Sequence, residues 1–265
     1  MREPNERIVL VTGANRGIGR AIARRFLAAG DTVVATVRSA DGERELREVP
    51  AGEVTAGETS TGEVSAGGVG EVLGVEAGAE GSRLVVERCD VRERAQVERL
   101  AERVRERFGR VDVLVNNAAV FEERDYALRA DELDPELLRR TLDVNVVGTA
   151  TVCVAILPLV PRGGRVVNLS SDLGQFGKPG GMTTTMVAYS LSKAAVNAYT
   201  SALANAVRSR GILVDSLHPG WVRTAMGGTN APLAPEDGAE AVYRLATRAA
   251  GETGRFWRDG APAPW

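Results

Sequence analysis

The first thirty residues constrain the fold of this chain more than any other stretch. Arg7 to Thr12 (RIVLVT) is a short apolar, β-branched run, the pattern of a buried strand. It leads straight into Gly13-Ala14-Asn15-Arg16-Gly17-Ile18-Gly19, then into an alanine-rich helical pattern that ends at Ala29 with Gly30 as its stop. Strand, glycine loop and helix in that order suit a phosphate-binding turn. The glycines let the backbone approach a pyrophosphate, and the helix N-terminus supplies free N–H groups and a favourable dipole. The spacing is GxxxGxG rather than GxGxxG. Taken alone, these glycines fit a plain tight turn equally well.

Asp31 to Val37 (DTVVATV) reads as the second strand and ends at Arg38. In dinucleotide sites of this kind an acid after the second strand binds a ribose 2′-hydroxyl, whereas an arginine accommodates a 2′-phosphate. No acid lies between Val33 and Val37, while Arg38 follows the strand and Arg16 sits inside the loop. Either one alone reads as a solvated surface charge. Two guanidinium groups near one ribose suit a phosphate dianion, which favours NADP(H) over NAD(H).

From residue 50 to 82 the composition changes to Gly, Ala, Glu, Val, Thr and Ser, with no aromatic residue. Such a segment buries too little surface to offset its chain entropy and reads as a flexible acidic insertion. Strand and helix patterns then alternate. Strands are expected at 83–88, 111–115, 164–170 and 212–217, with a possible edge strand at 254–257. Helices are expected at 92–108, 134–159, 187–210 and 235–248. Regular β-α alternation implies a doubly wound parallel sheet of about seven strands with helices on both faces, an α/β Rossmann fold in a single domain over 1–265.

Polar residues gather where strands end. Asp90 and Val91 follow the third strand, at the edge where such a sheet binds its ligand, although an Asp there also caps helices. Asn116-Asn117-Ala118-Ala119 follow the fourth, and their small residues let a cofactor pass close by. Asn145 lies mid-helix among apolar neighbours, either as a structural bridge or holding a water for a relay, since a buried amide needs partners. Ser171 follows the fifth strand, a position that turn and cap formers also favour. His218 and Pro219-Gly220 follow the sixth, and the histidine reads as structural.

Composition excludes several functions. A net charge of −2 gives no support to nucleic-acid or anionic-membrane binding. No uninterrupted apolar run reaches the ~18 residues of a membrane span, and the polar N-terminus lacks a signal-peptide pattern. Cys89, Cys153 and the lone His218 offer neither a disulfide framework nor a metal site. A cytoplasmic location is the expectation.

Tyr189-Ser190-Leu191-Ser192-Lys193 places a phenol and an ammonium one helical turn apart on one face. A neighbouring cation lowers a phenol's pKa and brings it toward acid–base range. Of the 33 basic residues only Lys178 and Lys193 are lysines, so a lysine at this spacing is unusual here. An isolated pair of this kind also reads as ordinary helix surface.

Together these segments resemble the short-chain dehydrogenase/reductase family. The matching motifs, in family order, are TGANRGIG (12–19), Asp90, NNAA (116–119), Asn145, Ser171, YSLSK (189–193) and PGWVRT (219–224). Arg16 before the second loop glycine, with 220–228 and 235–240, is most similar to the carbonyl-reductase branch. The resemblance implies a catalytic tetrad of Tyr189, Lys193, Ser171 and Asn145. It implies cofactor contacts from Gly13, Asn15, Arg16, Gly17, Ile18, Gly19, Arg38, Asp90, Val91, Asn117, Tyr189, Lys193, Pro219, Gly220, Val222 and Thr224. In these roles Tyr189 exchanges a proton with the carbonyl oxygen, Lys193 lowers its pKa, Ser171 holds the substrate oxygen, and Asn145 holds a water. Ala119 departs from the family's glycine, a change tolerated where φ is negative. The implied activity is NADPH-dependent reduction of a small ketone, aldehyde or quinone, reversible as alcohol oxidation. Phe176, Met182, Met186, Trp221 and Met226 suggest an apolar pocket. A non-catalytic NADP-binding sensor on the same fold is the alternative, though such proteins typically lose the tyrosine or lysine. Family members form dimers or tetramers through two long helices, here 134–159 and 187–210, and the carbonyl-reductase branch includes monomers.

Overall fold

The strands are short, apolar runs because the sheet they form is covered on both faces. The computed structural model describes residues 6–47, 83–177 and 182–265; the insertion expected at 50–82 lies outside them. Its strands are β1 (Ile8–Val11), β2 (Thr32–Val37), β3 (Leu84–Arg88), β4 (Val113–Asn116), β5 (Arg165–Leu169), β6 (Leu213–Leu217), β7 (Phe256–Arg258) and β8 (Ala261–Ala263). They lie in the order β3-β2-β1-β4-β5-β6-β7-β8. All pairs are parallel except β7 with β8, a final hairpin that adds an eighth strand to the seven or so expected.

Strand alternation feeds two separate cores. Ile8, Leu10, Leu114, Val166 and Val214 face α3 (Arg94–Phe108), α5 (Thr149–Ile156) and α6 (Val187–Val207). Val9, Val11, Val113, Val115 and Val167 face α1 (Gly17–Ala28) and α7 (Pro235–Thr247). The chain winds outward in both directions from β1 and β4, which pair at Val9↔Val113 through Val11↔Val115. A crevice at the carboxyl ends of those two strands is where such a sheet binds ligands.

The helix expected over 134–159 is continuous but not uniform. Asp134 caps it, its Oδ1 accepting from Glu136 N at 2.9 Å, with Pro135 in the first turn. α4 (Pro135–Leu142) then passes through a π-helical turn, Asp143–Gly148, into α5. One extra residue per turn re-aims side chains, and such turns often mark functional sites; this one carries Asn145. Among the described residues this stretch is the one helix long and apolar enough to cross a membrane by length and composition, a test that the core helix of a sheet-covered fold also passes. Val152, Cys153 and Ile156 from it are fully buried against the sheet.

Candidate active site

The loop between β1 and α1 is held by the segment after β4. Asn117 Nδ2 donates to the carbonyls of Thr12 (2.8 Å) and Gly13 (2.9 Å), and Asn117 N and Ala118 N both donate to Thr12 Oγ1 at 3.0 Å. Gly17 takes φ +53°, with Thr224 Cγ2 only 3.1 Å from where a Cβ would lie. At Gly19 a Cβ would meet the Gly13 carbonyl oxygen at 2.3 Å and Asn117 Nδ2 at 2.4 Å, so nothing larger than glycine lets α1 start this close to the loop. Arg16 stands at the N-cap of α1 with no side-chain cap, and the first turn holds no acid. That leaves N–H groups and the positive helix end available to an anion. Arg16 and Arg38 are exposed, and Arg38 lies near enough to Asp90 for its charge to lower the Asp90 pKa. The cradle fits the pyrophosphate and phosphorylated ribose of a dinucleotide.

Asp90 does not cap α3, which begins at Arg94 behind Glu93. It pairs with Arg92, Nη2 to Oδ2 at 2.6 Å, and these hydrogen bonds hold its carboxyl below the usual range. Val91 packs over Gly148, where a Cβ would stand 2.6 Å from Val91 Cγ2. Ala119 has negative φ, since among the described residues only Met186 and Asp259 are non-glycines with positive φ.

The carbonyl end of the cleft is assembled on α6. Tyr189 is half-buried, its ring edge-on to Phe121 with centroids 5.3 Å apart. Lys193 is buried, its Nζ 5.4 Å from the Tyr189 ring centroid and donating to the Leu169 carbonyl at 2.9 Å. Gly174 allows this approach: a Cβ there would lie 2.7 Å from the Lys193 carbonyl carbon, so the turn after β5 rests directly on the backbone of α6. That contact brings Ser171 to the same pocket as Tyr189. Asn145 bridges two segments. Its Oδ1 accepts from Val120 N (2.8 Å), and its Nδ2 donates to the Val120 carbonyl (3.0 Å) and to Ser192 Oγ (2.9 Å). Of the two roles open for it from sequence, the bridge is present. The pocket has a volume of about 380 Å³ and includes Ile18, Pro219, Gly220, Val222 and Thr224 with Ser171 and Tyr189.

A phosphate cradle and a Tyr–Lys–Ser group at the carboxyl ends of one sheet match a known pattern. The family model for short chain dehydrogenases matches residues 7–59 and 70–232. The chain belongs to the short chain dehydrogenase family. It is 29% identical to carbonyl reductase [NADPH] 1 of Sus scrofa, over 98% of this chain and 95% of that protein. It is 32% identical to a 3beta-hydroxysteroid dehydrogenase of Mediterraneibacter gnavus, over 93% and 74%. Among solved structures, the carbonyl reductase Sniffer of D. melanogaster superposes with a TM-score of 0.79 at 25% identity, over 98% of this chain and all of that one. This chain is thus an oxidoreductase of the family.

In this short chain dehydrogenase the electrostatics of the tyrosine reverse the expectation. Burial is the largest influence on Tyr189 and raises its pKa well above the ordinary value, with the Asp172 and Tyr126 charges adding in the same direction. Burial pushes Lys193 down to about 8. Desolvation, rather than the ammonium one helical turn away, therefore sets the direction of the tyrosine's shift.

Three features in and behind the pocket escaped the sequence reading. Asp125 is fully buried on the segment after β4, and its carboxylate accepts from Tyr189 N (2.9 Å) and Ala188 N (3.2 Å). It thereby caps α6, whose own N-cap residue, Met186, sits at φ 55° with no side-chain cap. Asp172 accepts from Ser171 Oγ at 3.2 Å and lines the pocket. His218 also lines it, Nε2 4.0 Å from Asp172 Oδ1, with Nδ1 buried and lacking a partner among the described residues; burial lowers its pKa. A histidine read as a turn residue is therefore part of the pocket wall. Of the five apolar residues expected there, Met186, Trp221 and Met226 line the pocket, Phe176 and Met182 do not, and Phe121, Tyr126 and Leu173 join them.

Proposed function

We propose that this chain, working as one NAD(P)-binding domain, is an NADPH-dependent reductase of a small, largely apolar ketone, aldehyde or quinone. The observation that carries this reading is the meeting of Tyr189 and Ser171 at one pocket beside the glycine cradle, with Lys193 at the Tyr189 ring. The cofactor is NADP(H), supported by Arg16 and Arg38 at the ribose end and by the NADPH in the name of the pig relative. Gly13, Asn15, Gly17 and Gly19 of the loop, with Asn117, Asp90 and Val91, hold the adenosine and pyrophosphate portion. Pro219, Gly220, Val222 and Thr224 border the nicotinamide portion. When bound, that group supplies the hydride.

Tyr189 carries the proton. Its raised pKa keeps the phenol protonated at neutral pH, the form that donates to a carbonyl oxygen. Lys193, held at Leu169, stands over the ring, 5.4 Å from its centroid, as a cation for charge that develops on Tyr189. Ser171 orients the substrate oxygen, and Asn145 ties the segment after β4, at Val120, to the Tyr189 turn through Ser192, which fixes the relation of the two walls.

The test follows NADPH absorbance with a panel of aromatic, quinone and terpenoid carbonyls. Wild type consumes NADPH with at least one of them, and Tyr189→Phe lowers kcat by about two to four orders of magnitude while keeping its affinity for NADPH. A Tyr189→Phe protein as fast as wild type rules the mechanism out.

A further inference from the structure

The last stretch of the chain does little for the core and much for the pocket. β8 and the two residues after it read Ala261-Pro262-Ala263-Pro264-Trp265. None of the five is buried, and none belongs to either core of the sheet. The stretch therefore contributes little of the apolar burial that stabilises a fold. Its two prolines fix φ at alternate positions, which makes it stiff as well as extended.

Both carbonyls past β8 are taken by the turn after β5. Pro264 O accepts from Gln175 Nε2 and Trp265 O accepts from Gly177 N, each at 2.8 Å. Gln175 is buried, so its amide needs such a partner. The approach at Gly177 is close, since a Cβ there would stand 2.9 Å from the Trp265 oxygen. The same hairpin also holds the opposite wall. The Trp257 carbonyl on β7 accepts from His218 N at 2.9 Å, at the start of the segment that lines the pocket through Trp221. The Phe256 and Trp265 rings, with centroids 6.4 Å apart, keep the stretch against β7.

One hairpin thus reaches from the wall of Ser171 and Leu173 to the wall of His218 and Trp221. Between Leu173 and Gln175, Gly174 rests on the backbone of Lys193, so a shift of this turn is felt at Ser171 and at α6 together. Resting on the reductase reading above, we infer that residues 256–265 clamp the two walls at a fixed separation and thereby select substrates by width, with Gln175 as the positioning residue that links the clamp to the Ser171 wall. A narrow ketone needs both walls to hold its carbonyl at Tyr189, and a displacement of about 1 Å costs on the order of a hundredfold in rate. A wide ketone fills a loosened pocket and loses less. The reaction itself is unchanged: the carbonyl gains one hydride from NADPH and one proton from Tyr189.

The experiment compares acetophenone with benzophenone, in which a second ring replaces the methyl group. With the full chain and NADPH, wild type shows the higher kcat/KM for acetophenone. In Gln175→Met, which keeps the volume and loses the donor, the ratio of acetophenone to benzophenone falls about tenfold, while Tm and NADPH affinity stay near those of wild type. A chain cut after Ala263 shows the same fall, and Gln175→Met adds little in that shortened chain, as for two ends of one contact. Titration of both ketones into the NADP⁺-loaded proteins reads the ratio without turnover. A binding ratio that falls in both variants, with no NADPH consumption, supports the clamp and defeats the reductase reading. NADPH consumption with a ratio that neither variant changes overturns the clamp and spares that reading. Equal losses for the two ketones alongside a lowered Tm also overturn it, because the stretch then acts on stability alone.

Discussion

At the phosphate end of the cleft, position is set by close contact with the main chain: the Asn117 side-chain amide holds the Thr12 and Gly13 carbonyls, and Gly19 leaves no room for a methyl group. At the carbonyl end, position is set by buried side chains reaching across the sequence. Asp125 caps the turn of Tyr189 from 64 residues away, and Asn145 holds Ser192 from 47 residues away. The first arrangement tolerates no added volume, because the Gly13 carbonyl and the amide of Asn117 that is bonded to it stand in the way. The second tolerates volume but depends on each polar partner being present. One end is a rigid mould common to many substrates, while the other can be retuned residue by residue.

The largest effect expected from this contrast is at Gly19. In Gly19→Ala the new Cβ overlaps the Gly13 carbonyl, so the loop or the start of α1 must move. NADPH affinity should fall by two orders of magnitude or more, with a lowered Tm, as read by titration and thermal unfolding. Retained affinity would mean the cradle is softer than the carbonyl end and would break the comparison.

Lys193 gives the next largest effect, on stability. Burial pushes its pKa down to about 8 from an ordinary value of 10.5. Below about pH 8 both folded and unfolded chains carry the charge, and the folded one bears the desolvation cost. Between about 8 and 10.5 the unfolded chain binds more protons, so stability rises with pH, by an amount on the order of 3 kcal/mol. Lys193→Met lacks that rise and loses most activity. Its Tm relative to wild type should be most favourable near pH 7.5 and should decline steadily toward pH 10.5. A constant difference across that range would show that Lys193 is not desolvated.

The same contrast explains which parts of the molecule were legible in sequence. Strands read well because complete burial makes them unbroken β-branched runs, as at Ile8–Val11 and Thr32–Val37. The glycine loop read well because its constraints are local: neighbouring residues supply both the turn and the helix end. Tyr189 and Lys193 read as a pair because helix periodicity alone puts them on one face. What did not read was whatever depends on contacts across the sheet. The π-helical turn at Asn145 needs Val120 and Ser192 to explain it, and neither adjoins it in sequence. Asp125 lies in a charged stretch, Glu122-Glu123-Arg124-Asp125, that looks like solvated surface, and only the tertiary fold shows it buried beneath α6. Spacing alone likewise pointed the tyrosine's pKa downward, because burial is invisible in a motif.

The smallest effect, and the most diagnostic, is at Asp125. Its carboxylate satisfies Ala188 N and Tyr189 N at a helix start where Met186 offers no cap and sits in a left-handed conformation. Asp125→Ala leaves two buried N–H groups unpaired at the positive end of the helix, a loss of about 2 kcal/mol in stability. Because those N–H groups belong to the turn of Tyr189, kcat should fall roughly tenfold as the phenol loses its fixed position. NADPH affinity should stay within about twofold of wild type, since the cradle hangs on Asn117 and not on this turn. Asp125→Asn, which keeps one acceptor, should recover part of both losses. If instead NADPH affinity and kcat fall together, the two ends of the cleft are mechanically one, and side-chain capping at the carbonyl end also supports the backbone mould at the other.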